Sequence, residues 1–106
     1  MTTFDERERA FENKYQHDQE LLFRIRARRD KLAGLWAADL LGLTGPAADD
    51  YVRQVIDTDI GTIGPHDIRD RLCKDLKDRG VDMSEHRVER ELERLLDVAR
   101  QQVNAE

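Results

Sequence analysis

The chain has 106 residues, 39% of them hydrophobic and 39% charged, with a formal net charge of −5. That length holds one small domain, and the acidic balance argues against nucleic-acid binding by the protein as a whole. The single cysteine, Cys73, excludes an intrachain disulfide, and no apolar run approaches the roughly 18 residues of a membrane span. Charges begin at Asp5, so no secretory core precedes them. The expectation is a soluble cytoplasmic protein with no cofactor, whose Cys73 is an inert, partly buried thiol between Leu72 and Leu76.

Helical periodicity runs through nearly the whole chain, and period-two runs do not persist. The first helix is predicted from about Thr3 to about Leu41, with two unlike halves. Phe4, Phe11, Tyr15 and Leu22 recur at steps of seven, four and seven. They fall within about 40° of one another on a helical wheel, far narrower than the ~100° stripe of a core-facing helix. From Leu21 the apolar positions broaden. Leu21, Leu22, Phe23, Ile25, Leu32, Trp36, Leu40 and Leu41 cover about half the wheel, which predicts a helix embedded in a bundle.

"GLTGP" breaks the first helix, Gly42 and Gly45 supplying permissive φ and Pro46 suiting a first helical turn. A second helix from about Pro46 to about Asp59 would turn Ala48, Tyr51, Val52, Val55 and Ile56 inward. After "IGTIGP", Pro65 opens a third helix with Ile68, Leu72, Cys73 and Leu76 inward, closed by Gly80. Ser84 caps a fourth, with Val88, Leu92, Leu95, Leu96, Ala99 and Val103 inward. The predicted fold is all-α: a small four-helix bundle with a long first helix and a mobile N-terminal segment.

Catalytic and metal chemistry find no constellation. His17, His66 and His86 are scattered, without a second His or Cys at metal spacing. "DTDIGTIGPHDI" starts like a calcium loop with Asp57 and Asp59. It then has Thr62 where the loop glycine belongs and Ile68 where the terminal glutamate belongs. The glycines of "IGTIGP" lack the Gly-Lys-Ser/Thr end of a phosphate loop.

Charge is more informative. Arg24, Arg26, Arg28, Arg29 and Lys31 lie within eight residues, with Asp30 as the one acid among them. The preceding tract carries Asp5, Glu6, Glu8, Glu12, Asp18 and Glu20 against Arg7, Arg9 and Lys14. An acidic-leaning tip is therefore followed by a basic collar. The collar is either a solvated helix face or a complementary contact for a charged partner.

The tip has modest local support. Thr3 and Glu6 match a capping box, and Asp5 with Arg9 and Glu20 with Arg24 are favourable i,i+4 pairs. Burying its four stripe residues would stabilise by about 6–12 kcal/mol. Ordering a disordered backbone costs about 1–2 kcal/mol per residue, which exceeds that gain over the whole tip. The expectation is a tip that is mobile when free and docks as a helix in a partner's groove. The competing expectation is a tip folded back on its own bundle.

The stretch "MTTFDERERAFENKYQHDQELLFRIRARRDKLAGLWAADLLGL" strongly resembles the N-terminal region of the zeta-subunit family. These are small inhibitor subunits of the F1 part of ATP synthase in alphaproteobacteria. The resemblance continues through "GPAADDYVRQVI" and "GVDMSEHRVERELERLL" and covers essentially the whole chain; the near-neutral "IGTIGPHD" departs most, relatives being more acidic there. It implies a four-helix protein whose N-terminal segment enters a catalytic alpha/beta interface of F1 and reaches toward the central gamma stalk. Hydrolytic rotation is blocked, with much less effect on synthesis. Carried over, the inhibitory segment is Thr2 to about Gln19. Its anchors would be Phe4, Phe11 and Tyr15, and its polar contacts Glu6, Arg7, Arg9, Glu12 and Lys14.

The expected division is thus an inhibitory segment at 1–19 and a four-helix domain at 20–106, with Arg24, Arg28 and Lys31 as a secondary contact. The expected partners are the F1-ATPase alpha, beta and gamma subunits. Nucleic acid and direct membrane insertion are not expected; association with the inner membrane would be peripheral, through ATP synthase. The alternative is a helical adaptor or nucleic-acid-associated protein using Arg24–Lys31. An enzyme is the reading least supported. His17, within one turn of Glu20, could also tune the tip near pH 6.5.

Overall fold

A computed structural model describes the backbone of residues 3–61 and 67–106, and the side chains of Lys14, 16–59 and 68–106. Its four helices are α1 (Thr3–Leu40), α2 (Gly45–Gly61), α3 (Asp67–Asp78) and α4 (Glu85–Asn104). No strand occurs among the described residues. None of their helices is long and apolar enough to cross a membrane. The all-α, four-helix expectation holds, with the long first helix. The expected opening of the third helix at Pro65 lies outside the described residues.

The helix ends follow local chemistry. Gly42 has φ +76°. The Leu43 N–H donates to the Ala38 carbonyl at 2.9 Å and that of Gly42 to Asp39 at 3.1 Å. This pair of bonds is a Schellman close, which needs a left-handed residue and so favours glycine. Gly80, φ +77°, closes α3 identically: Val81 N–H reaches the Leu76 carbonyl at 2.9 Å and Gly80 N–H that of Lys77 at 3.0 Å. At the start of α4 the Ser84 hydroxyl accepts from the Arg87 N–H at 3.2 Å, as expected of an N-cap.

α1 packs most extensively against α2 and α4, and α3 packs on α2 and α4 with a smaller contact to α1. The main core joins Ala33, Ala37 and Ala38 of α1, and Leu41 just after it, to Tyr51 and Val55 of α2, Ile68, Leu72 and Leu76 of α3, and Val88, Leu92 and Leu95 of α4. A second cluster ties Ile25 to Ala99 and Val103, with Leu21, Leu32 and Leu96 against it. Each large side chain among these contributes about 1.5–3 kcal/mol by leaving water. The expected inward faces of α2, α3 and α4 are all buried or half-buried, including the half-buried Cys73.

The α1 face differs from the sequence expectation. Leu22 is 57% and Phe23 59% exposed, although both belong to the broad apolar stripe. Ile25 and Leu41 of the stripe are buried as expected, but the other most buried residues here are Asp30, Ala33, Gly34, Ala37 and Ala38. The cause is close approach. A Cβ on Gly34 would lie 3.1 Å from the Val52 Cα, so α1 and α2 meet almost backbone to backbone. Small side chains permit that contact; leucine and phenylalanine would prevent it. Trp36, Leu32 and Leu40 are half-buried around the seam.

Candidate interaction surface

α1 is 38 residues long, about 57 Å at 1.5 Å per residue, against 20 residues for α4. Its described side chains before Leu21 (Lys14, Gln16, His17, Asp18, Gln19 and Glu20) are all exposed. Leu21 is the first that packs on the bundle. Helical backbone from Thr3 to Glu20 therefore precedes the first packed residue among those with described side chains. The expected anchors Phe4, Phe11 and Tyr15, and the side chains of Glu6, Arg7, Arg9 and Glu12, lie outside the described residues. So do the capping box of Thr3 and Glu6, the Asp5–Arg9 pair and the expectation of a tip that is mobile when free.

The collar at the root of this extension is held by acids of the same chain. Arg24 Nη2 donates to Glu106 Oε2 at 2.8 Å, in place of the expected pairing with Glu20. Arg28 donates to the other Glu106 oxygen and to Gln102 Oε1, the latter at 3.0 Å. Arg28 and Arg24 together hold the Glu106 carboxyl below its ordinary range. Arg26 binds Asp59 on α2 through two N–H groups at 2.6 and 2.7 Å. Arg29 donates to Asp30 at 2.8 Å and lies 3.7 Å from Asp59. The two acids it meets are 0% and 6% exposed. Lys31 is exposed. The collar's arginines thus serve the α1–α2 and α1–α4 contacts, which leaves less free positive charge than the sequence suggests.

Two features of this region were not foreseen. One is the exposed pair Leu22 and Phe23 at the root, where Phe23, Ala27 and Lys31 line a hollow of about 340 Å³ with Ile56 and Val103. The other is Asp30, fully buried beside Asp59. Burial, and then the neighbouring Asp59 carboxylate, push the Asp30 carboxyl up to about 8, while Arg29 opposes the shift. Asp59 moves the other way, below its usual value: Asp30 and the Arg26 and Arg29 guanidiniums outweigh its own burial. A sequence signal for Asp30 did exist. Asp30, Ala33, Gly34, Ala37 and Leu41 stand at i, i+3, i+4, i+7 and i+11, one face of a helix.

Elsewhere the polar groups knit α2 to α3 and α3 to α4. Tyr51 O–H donates to Asp75 at 2.8 Å, and Arg71 donates to the same carboxylate while standing 5.9 Å from the Tyr51 ring centre. Arg69 pairs with Glu89 across α3 and α4. Among the described residues no group of three or more His, Cys, Asp or Glu side chains could hold a metal ion. Burial raises the Cys73 thiol above its usual range, which makes it a poorer nucleophile.

The described region thus consists of a helical extension, an exposed apolar pair at its root and a base held by ion pairs. Comparison with curated proteins and with solved structures gave no match. The family model for ATPase inhibitor subunit zeta matches residues 1–102, almost the full length, and the chain belongs to that family.

Proposed function

We propose that this chain is a regulatory, non-catalytic subunit that inhibits ATP hydrolysis by F1-ATPase through the N-terminal part of α1. Residues 1–19 form the inhibitory segment and residues 20–106 the domain that carries it. The segment inserts at a catalytic alpha/beta interface, reaches toward gamma and stops hydrolytic rotation. Phe4, Phe11 and Tyr15 anchor it, with Glu6, Arg7, Arg9, Glu12 and Lys14 as polar contacts. Arg24, Arg28 and Lys31 stand at the edge of the contact. The protein meets the inner membrane peripherally, through ATP synthase.

The observation that carries this reading is the reach of α1. Eighteen residues of helical backbone, Thr3 to Glu20, come before Leu21, the first of the described side chains packed on the bundle. That is about 27 Å of helix. A bundle gains no stability from such an extension, whereas a groove on a partner can bury its apolar stripe. The membership of an ATPase-inhibitor family supports the same direction.

The test adds the full chain, or residues 20–106, to purified F1 and follows ATP hydrolysis. Circular dichroism checks that the shorter chain is folded. The full chain is expected to suppress hydrolysis and the folded shorter chain to leave it unchanged. Equal inhibition by both would remove the segment from the mechanism. The alternative use of Arg24–Lys31 on nucleic acid predicts salt-sensitive binding to duplex DNA or RNA near physiological ionic strength. The pairing of Arg24 and Arg28 with Glu106, and of Arg26 and Arg29 with Asp59 and Asp30, works against it.

A further inference from the structure

Asp30 and Asp59 are the buried charged side chains among the described residues, and Arg29 reaches both at the α1–α2 seam, 2.8 Å from Asp30 and 3.7 Å from Asp59. Asp30 stands on α1 nine residues beyond Leu21, the first of the described side chains packed on the bundle, and Asp59 faces it from α2. Arg26 gives Asp59 two hydrogen bonds, and Arg29 also approaches it. Asp30 receives one, from Arg29, at Oδ1. Its other oxygen, Oδ2, is buried and accepts none.

We propose that Asp30 and Asp59 form a proton site shared between α1 and α2, the proton resting on Asp30 and leaving as pH rises, so that the contact between the two helices weakens.

The allotment of charge follows from the contacts. Asp59 has the guanidinium bonds and keeps its negative charge. Asp30 has an orphan oxygen in a dry seam, and ionising it there costs the full desolvation of an acceptor without a donor. Two carboxyls in one site also cannot both ionise cheaply, which raises the pKa of one of them. A proton on Asp30 removes that charge and supplies a donor toward Asp59. The charged groups that bear on the pair are Arg26 and Arg29 from α1 and Asp59 from α2. On the α3–α4 side, Arg69, Glu89 and Glu93 line a hollow of about 310 Å³ with Arg29. Arg69 is already engaged by Glu89 and Asp70.

The sign of the pH effect is fixed by where the proton sits. An unfolded aspartate ionises near pH 4. Folded Asp30 keeps its proton to about 8. Between those limits the folded chain binds one proton more than the unfolded chain, so stability falls as pH rises and levels off above the upper limit. Asp59 acts on the acid side, its contribution being lost as pH falls through its depressed value.

The experiment is a carbon-detected NMR titration of the Asp side-chain carboxyls in the full chain, from pH 5 to 9.5. One carboxyl, assigned to Asp30, is expected to titrate at about 8 while Asp59 stays ionised throughout. Complete ionisation of Asp30 below pH 5 would overturn the proposal. Urea unfolding supplies a second readout. Asp30→Asn keeps a neutral donor in place. The ratio of wild-type to Asp30→Asn folding constants is expected to fall about tenfold between pH 6 and pH 7, the limit for one proton. A constant ratio would overturn the proposal as well. Asp59→Asn should move the Asp30 midpoint downward, because the neighbouring charge is gone and Arg26 is released. An unmoved midpoint would show that the two do not share the site. None of these measurements involves F1, so they stand or fall apart from the inhibitory role.

Discussion

Arg26 on α1 grips Asp59 on α2 through two parallel hydrogen bonds, Nε to Oδ2 at 2.7 Å and Nη2 to Oδ1 at 2.6 Å. The carboxylate is almost wholly buried, whereas the guanidinium side chain is 51% exposed. The bond therefore matters more to Asp59 than to Arg26, since a buried anion without donors is costly. Replacing Arg26 by Met keeps the apolar stem and removes the donors. Arg29 remains at 3.7 Å and offsets part of the loss. The expected destabilisation is about 1–2 kcal/mol at pH 7 in urea unfolding.

Gly34 is where α1 and α2 come closest. Substitution by Leu would force a side chain into the 3.1 Å gap to the Val52 backbone. Gain in helix propensity offsets only about 1 kcal/mol of the resulting strain. Gly34→Leu is expected to lower stability by about 2 kcal/mol or more, or to leave the bundle loosely packed. Thermal unfolding with near-UV circular dichroism through Trp36 distinguishes the two outcomes from an unaffected fold.

Leu22 and Leu72 are the same residue type in opposite settings, 57% and 0% exposed. Leu72→Ala is expected to cost about 2–5 kcal/mol, the transfer free energy plus the cavity. Leu22→Ala should change stability by no more than about 0.5 kcal/mol. A weakened inhibition of F1 by the stable Leu22→Ala chain would place this residue in the contact.

Tyr51 links pH to the α2–α3 contact. Its burial, and then its bond to Asp75, hold the phenol well above its ordinary range. The unfolded phenol ionises near pH 10 while the folded one retains its proton, so stability falls as pH rises past about 10. Tyr51→Phe loses the bond to Asp75, which Arg71 continues to satisfy. The expected cost is about 0.5–1.5 kcal/mol at pH 7. The gap between the two proteins should narrow above pH 10 in unfolding experiments, because only tyrosine releases the proton.

Much of the architecture is local and was legible for that reason. Gly42 and Gly80 close helices because glycine alone enters the left-handed region freely. Ser84 caps α4 because its hydroxyl satisfies an N–H of the first turn. The faces of α3 and α4 follow from spacing, each apolar residue returning to one side every 3.6 positions. The anchors Phe4, Phe11 and Tyr15 were equally legible as a stripe. The contacts proposed for them would lie on a partner's surface, which no property of this chain specifies.

Only the tertiary structure decided how α1 is used. On hydrophobicity, Leu22 and Phe23 belong inside and Asp30 outside; the fold reverses both. The described α1 side chains before Leu21 stay exposed, and small residues let α2 approach the seam so closely that Asp30 is enclosed. The partners of the basic collar likewise come from far along the chain, Asp59 on α2 and Glu106 at the end of α4. A helical wheel records direction around an axis. It contains neither the length of the neighbouring helices nor their distance, and those two quantities determined which side of α1 is dry.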